Sequence, residues 1–204
     1  PPGVRDPGIL GQGSFLAARA QPENSSPVQR AFIVRERILC DELPEVPQNL
    51  DTNLKAPAPG ATNRERYFTH SSNEVCYACH QMMDPIGYTF EKYDGFGKFR
   101  DTEVGKPVDS SGSLMMVPEG TEVQLDGVAS LVSYMGELED VRACMVRFMS
   151  YYTFGRDAWD QKICNDHAIR GEARVAGNSL KSMLMGVLHS PSFTRRGPEQ
   201  PAQQ

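Results

Sequence analysis

The chain is poor in the features that mark whole classes of protein. It has one tryptophan and four histidines among 204 residues, and no stretch approaches the roughly 18 consecutive apolar residues of a membrane span. Its first residues, Pro1-Pro2-Gly3-Val4-Arg5-Asp6, lack the charged-then-apolar design of an export signal. Positive charge is not in excess: 21 Lys and Arg stand against 26 Asp and Glu, a net charge of −5, and the pI is near 5.4. That balance argues against a nucleic-acid surface and fits an acidic soluble protein. No Ser-His-Asp set, pair of catalytic carboxylates or phosphate-cradling loop stands out, so a hydrolase has no support.

What is present is a chain long enough to bury a real core, as one compact domain or two small ones. Hydrophobic residues make up 39% and charged ones 23%, on the polar side of globular, and 15 prolines with 18 glycines imply many irregular connections. The stretch that organises the rest is Cys76-Tyr77-Ala78-Cys79-His80, followed at once by Gln81-Met82-Met83-Asp84-Pro85-Ile86-Gly87. Two thiols three apart with a histidine directly after the second are what covalent haem attachment needs: each sulfur adds across a vinyl group and the imidazole binds iron. Three other readings compete. A thioredoxin-like dithiol needs a βαβ setting, and the strand-like run before the motif is missing. A zinc site of Cys76, Cys79, His80 and Cys40 is opposed by the adjacency of Cys79 and His80, because zinc sites space their ligands. An ordinary disulfide with a chance histidine is the third.

The residues around the motif extend it. With Met83-Asp84-Pro85-Ile86-Gly87, then Phe90-Glu91-Lys92-Tyr93-Asp94-Gly95-Phe96-Gly97-Lys98-Phe99-Arg100 and Pro107-Val108-Asp109-Ser110-Ser111-Gly112, the chain resembles the planctomycete- and myxobacterial-type cytochrome c-like domains. Their motifs read roughly C-A-S-C-H-x-x-M-D-P-I-G, E-N-F-D-x-x-G-x-x-R and P-I-D-A-S-G. Ser26-Pro27-Val28-Gln29-Arg30 with Val34-Arg35-Glu36-Arg37-Ile38-Leu39-Cys40 is similar to the family's upstream segment. Tyr151-Tyr152-Thr153-Phe154-Gly155-Arg156 is similar to the Y-A-L-G-R of its small C-terminal partner domain.

The resemblance implies a mainly α fold: a cytochrome c-like haem domain followed by a small helical C-terminal domain, with long Pro/Gly-rich loops. The expected divisions are an N-terminal extension with one helix and a Pro-rich linker over 1–60, the haem-binding domain over 61–125, the helical C-terminal domain over 126–194 and a tail over 195–204. It implies one covalent haem c on Cys76 and Cys79, with His80 as the axial ligand. Attachment of haem c happens outside the cytoplasm, so the expected location is periplasmic or extracellular in a bacterium. Export is then directed by residues absent here, and the chain is processed or part of a longer precursor. The segment Gly8-Ile9-Leu10-Gly11-Gln12-Gly13-Ser14-Phe15-Leu16-Ala17 looks like a junction that follows larger upstream domains.

The opposite face of the iron separates an electron carrier, with both axial sites filled, from an enzyme with one open. Met115 and Met116 are the candidates, in what reads as a loop between Gly112 and Gly120, with core filling as the competing role. Met83, three residues after His80, is tied to the proximal side. His70 reads as a helix-end or propionate-contacting residue, and His167 and His189 as surface or core histidines. Arg100 is a candidate to neutralise a propionate, and Tyr93 or Tyr88 to donate to one; their ordinary reading is a surface cation and core-edge aromatics. Asp94 and Asp109, beside glycines, read as turn caps.

Setting aside the two motif cysteines leaves Cys40, Cys144 and Cys164. Cys144 and Cys164 fall on consecutive predicted helices and are the expected disulfide, leaving Cys40 over as a buried thiol or a bond to a missing partner. The expected function is one-electron transfer or relay, through a redox partner protein or within a larger exported complex, with no nucleic acid and no membrane span in this chain. A haem-dependent oxidase or peroxidase with five-coordinate iron stands as the enzymatic alternative, and a non-redox interaction module stapled by haem as the other.

Along the chain, the pattern predicts a helix over Pro27–Leu39 capped by Ser26, a Pro-rich extended stretch from Leu43 to Gly60, and a helix from Thr62 to about Thr69 with a Thr62/Glu65 capping box. A further helix opens at Ser71 or Ser72 and carries the motif on its last turn, and helix restarts at Asp84-Pro85, with Asp84 as cap and Pro85 at the first helical position. Phe90, Tyr93, Phe96 and Phe99 are expected core anchors. Helices over Val128–Leu138, Asp140–Phe154 and Ser179–His189 form a small bundle, and the tail from Arg195 is low in apolar residues.

Overall fold

The computed structural model describes residues 8–22, 24–47, 54, 56–72, 74–116, 120–154, 166–175, 177 and 179–194. It is mainly helical, with two small antiparallel sheets. The chain forms two compact units, Pro1–Glu137 and Leu138–Gln204.

The first unit opens with a 3₁₀ turn, Gly8–Gly11, and helix α1, Gly13–Ala18; the segment is more ordered than its glycines suggest because Leu10 and Leu16 are buried. Helix α2, Pro27–Ile33, starts as the sequence predicts, with Pro27 in the first turn and the Ser26 hydroxyl accepting from the Gln29 N–H. It runs on as a π-helical stretch, Val34–Leu39, which Cys40 ends in the left-handed conformation at φ 58°. Helix α3, Asn63–Ser71, carries the predicted capping box in both directions: Glu65 N–H donates to Thr62 Oγ1 at 3.2 Å, and Thr62 N–H to Glu65 Oε2 at 2.7 Å.

Helix α4, Glu74–Tyr88, departs from expectation. The cysteine motif lies in its first half rather than on a last turn, and the helix continues through Asp84-Pro85 instead of restarting there. Pro85 forfeits one backbone bond, to the carbonyl of Gln81. Beside that gap, the buried Arg35 donates from Nε and Nη2 to the Met82 carbonyl, both at 3.2 Å, while its Nη1 holds Asp41 at 2.8 Å. Asp84 is therefore an interior helical residue and not a cap.

Strands β1, Thr102–Glu103, and β2, Lys106–Pro107, form a minimal hairpin, followed by β3, Ser111–Met115, antiparallel to β4, Glu122–Asp126. The expected Gly112–Gly120 loop is thus largely a hairpin, with Met115 opposite Glu122 and Met116 N–H bonded to the Thr121 carbonyl. Helix α5, Gly127–Glu137, packs on β4 and on the 3₁₀ turn. Ala31, Val34, Ile86, Phe90, Leu114 and Leu131 are fully buried in this unit. Phe96, expected in the core, is 82% exposed, because Asp94 Oδ1 accepts from the Phe96 and Lys98 N–H groups and turns the chain outward there.

The second unit contains α6, Glu139–Phe154, α7, Asp166–Val175, and α8, Leu180–His189, with a short α9, Pro191–Thr194. Val146, Ile169, Met183 and Val187 form its core. Gly186 lets α8 approach α7, since a Cβ there would lie 3.0 Å from the Ile169 carbonyl oxygen. Cys164, Gly155-Arg156 and the tail from Arg195 lie outside the described residues.

Cys40 and Cys144 are both disulfide-bonded, while Cys76 and Cys79 are free thiols. The expectation of a Cys144–Cys164 pair with Cys40 left over is corrected on Cys40. Nearness in sequence is a weak guide to pairing, because each doubling of a loop adds only about 0.6 kcal/mol of closure entropy.

Candidate functional site

Residues at i, i+3 and i+4 share a helix face, so helix formation alone brings Cys76, Cys79 and His80 together. Both thiols are partly exposed. His80 is 14% exposed, and its Nδ1 lies 2.8 Å from Asp84 Oδ1, one turn further on; Asp84 is 6% exposed. An ionised carboxylate only accepts, so with Asp84 ionised and the ring neutral this contact selects the tautomer with the hydrogen on Nδ1. The other oxygen, Asp84 Oδ2, accepts from the Tyr88 hydroxyl at 3.4 Å. Burial and the Asp84 charge raise Tyr88 above its ordinary pKa, which keeps the phenol a donor.

The next contacts lead away from α4. The Arg64 guanidinium lies over the Tyr88 ring at 4.3 Å. Its Nε holds Asp109 Oδ2 at 3.3 Å, and Nη1 donates to the Ser111 carbonyl. The Ser111 hydroxyl and N–H both donate to Asp109 Oδ1, the hydroxyl contributing most, and hold that carboxylate below its usual range. The expectation of Asp109 as a turn cap is met, and it serves Arg64 as well. A cleft of about 400 Å³ opens beside Tyr88, lined by Arg64, Phe68, Lys106 and Asp109. Its cations are already paired, Lys106 with Glu65 at 2.9 Å and Arg64 with Asp109.

Tyr93 and Arg100 belong to a different constellation, built on buried charge. Glu91 is 1% exposed; burial pushes its carboxyl up, and Arg100 works against that shift. Arg100 Nη2 meets Glu91 Oε2 at 3.1 Å and its Nη1 meets Glu103 at 2.8 Å. Asn63 and Ser25 complete the shell around Glu91. Tyr93 is buried with its ring edge-on to Phe99, and its carbonyl accepts from Arg30 at 2.8 Å. A propionate would therefore have to displace Glu103 to reach Arg100.

The sequence reading gives no buried polar role to Arg30 or Arg35 and places Asp84 at a helix start rather than beside His80. Arg30 is wholly buried and also donates to the carbonyls of Leu16, Phe90 and Asp94. Desolvation draws its guanidinium down to about 10, with Glu91 opposing. The signal was available: Arg30 shares a helix face with Pro27, Ala31 and Val34, all buried. Among the described residues no helix is long and apolar enough to cross a membrane. His189 ends α8, and the side chains of His70 and His167 lie outside the described ones.

A family model described as PSCyt3, protein of unknown function (DUF1588), a planctomycete-type cytochrome-related domain, matches residues 6–103. The match takes in the upstream arginine segment, the cysteine motif and Arg100, and ends before Pro107–Gly112 and Tyr151–Arg156. No curated protein and no solved structure matches the chain.

Proposed function

We propose that this chain is a c-type cytochrome unit, with one haem attached through Cys76 and Cys79 and His80 as axial ligand, serving one-electron transfer or relay outside the cytoplasm. One observation carries the reading: two free thiols and an imidazole share one helix face, with the imidazole Nδ1 tied to a carboxylate. The donor set fits the group, since thiols supply the two thioether links and Nε2 the metal bond. Haem, when bound, supplies the one-electron couple. The chain supplies the attachment points, the ring orientation and the cover. Met115 or Met116 is the candidate for the opposite axial position. The disulfide-bonded Cys40 and Cys144 suit an oxidising compartment, where haem c is attached and where a redox partner or a larger exported complex would meet it.

The test is direct. The protein is produced with a haem-attachment system, denatured in acid, extracted with organic solvent and weighed. Haem retained on a peptide containing Cys76 and Cys79 is expected; haem lost to the solvent, or none attached, overturns the reading.

The His80–Asp84 contact also favours a second reading, a haem-dependent oxidase or peroxidase, because an anionic partner raises the basicity of the axial ring. Carbon monoxide added to the reduced protein separates the two, since an open site binds the gas and a filled one resists it.

A further inference from the structure

We propose that Asp84 is the positioning residue of His80, and that Tyr88, Arg64 and Asp109 hold it in register, so that the carboxylate fixes the ring, presents Nε2 to a metal and lends the imidazole anionic character. This rests on the reading of His80 as an iron ligand and goes beyond it by naming what sets the ligand's properties.

The contacts form one continuous path. Asp84 Oδ1 takes Nδ1 of His80 at 2.8 Å, Oδ2 takes the Tyr88 hydroxyl at 3.4 Å, Arg64 covers the Tyr88 ring at 4.3 Å, and Asp109 and the Ser111 carbonyl anchor Arg64. Asp84 stands inside α4, where no helix-terminal N–H is left for it to cap. It is almost fully buried, and its two described partners are an imidazole and a phenol rather than Lys or Arg. What a carboxylate gives an imidazole is a chosen tautomer, a fixed plane and greater basicity at the other nitrogen. Greater basicity favours the more positive iron state, which lowers the reduction potential. Tyr88 shares the same carboxylate, so its hydroxyl draws charge away from the ring.

The two ends of that path predict shifts of opposite sign. In the haem-loaded chain, Asp84→Asn should raise the reduction potential, because the neutral amide accepts weakly. Tyr88→Phe should lower it, because the whole carboxylate then serves His80. A purely structural role would move both in the same direction, and that result would overturn the proposal. In the chain without haem, nitrogen NMR at a pH where the ring is neutral should find His80 protonated at Nδ1, with the preference lost in Asp84→Asn. Protonation at Nε2 in the parent chain would also overturn it. Should Asp84→Asn fail to fold, the sign of the Tyr88→Phe shift and the parent tautomer decide. If haem does not attach at all, the functional reading fails by itself, and the tautomer still judges the role of Asp84.

Discussion

Gly112 in β3 lies directly against the carbonyl of Pro85 in α4, so closely that a Cβ at 112 would collide with that oxygen. Gly87, two residues further along the helix, meets the Pro27 carbonyl in the same way, so α4 is clasped on two sides by backbone that only glycine admits. Gly112→Ala and Gly87→Ala should each destabilise the chain by about 1–3 kcal/mol, the range for overpacking a close-packed site. Gly171→Ala should do the reverse, gaining about 0.5–1 kcal/mol, since nothing lies within 4 Å of its Cβ position in the middle of α7. Urea unfolding of the three variants checks the contrast.

Arg30 donates to four backbone carbonyls, of which those of Phe90 and Asp94 also accept from the Tyr93 and Gly97 N–H groups. Arg30→Met fills similar space without donating, and should cost at least about 3 kcal/mol. Arg30→Lys should not restore it, because an ammonium cannot reproduce the planar fork. The exposed Arg37→Ala should stay within about 0.5 kcal/mol. Thermal melts are the measurement.

Val104 and Gly105 join β1 to β2 with both residues at positive φ, 46° and 78°. That is the conformation of a two-residue hairpin turn that suits Asn-Gly, and a β-branched residue is strained in it. Val104 is 58% exposed, so little packing is lost on exchange. Val104→Asn should stabilise by about 1 kcal/mol, read as a higher denaturation midpoint; a lower one would mean that the valine is used for contact.

Asp109 carries a sign that can be checked with pH. Its folded pKa lies below the unfolded value, through the Ser111 hydroxyl first, so its contribution is present above the unfolded pKa of 3.8 and is lost as pH falls through the folded one. The carboxylate is largely exposed, and screening limits the effect to about 0.5 kcal/mol. Asp109→Asn should cost that much at pH 7, and the gap to the parent should narrow as the pH falls below 3.8 and through the lower folded value. A gap independent of pH would assign the loss to geometry rather than charge.

Met115 and Met116 are tested together, because replacing both by leucine keeps volume and apolarity while removing the sulfur. The double variant of the loaded protein should fold, lose its thioether-to-iron absorption in the far red and fall in potential. An unchanged spectrum would make the pair core filling, and the oxidase or peroxidase reading would move ahead.

How much the sequence revealed followed the reach of each interaction. The Thr62/Glu65 capping box and the Ser26-Pro27 start of α2 were legible because their bonds close within four residues. The continuation of α4 through Pro85 was not, because its support comes from Arg35, far upstream. A helix that restarts at Asp84 makes that residue a cap and hides its place one turn from His80. The β3–β4 hairpin left a trace in the alternation of Val123 and Leu125, but Ser111-Gly112-Ser113 read as a loop because the reason for its glycine, the Pro85 carbonyl, lies on another element. The spacing of the cysteine motif needs nothing distant and is legible directly, whereas the extent of the helix that carries it is not.

That locality bears on timing. Cys76, Cys79, His80, Asp84 and Tyr88 all reside on α4, so the thiols, the ring and the group that turns the ring are assembled by a few turns of helix, before any contact across the unit exists. Local contacts of this kind form fastest in a folding chain, and an isolated helix of this length is marginal until something holds it. These five side chains can thus be set along one helix while the rest of the chain is still extended. The strand that carries Gly112 and the helix that begins at Pro27 are what then hold that helix.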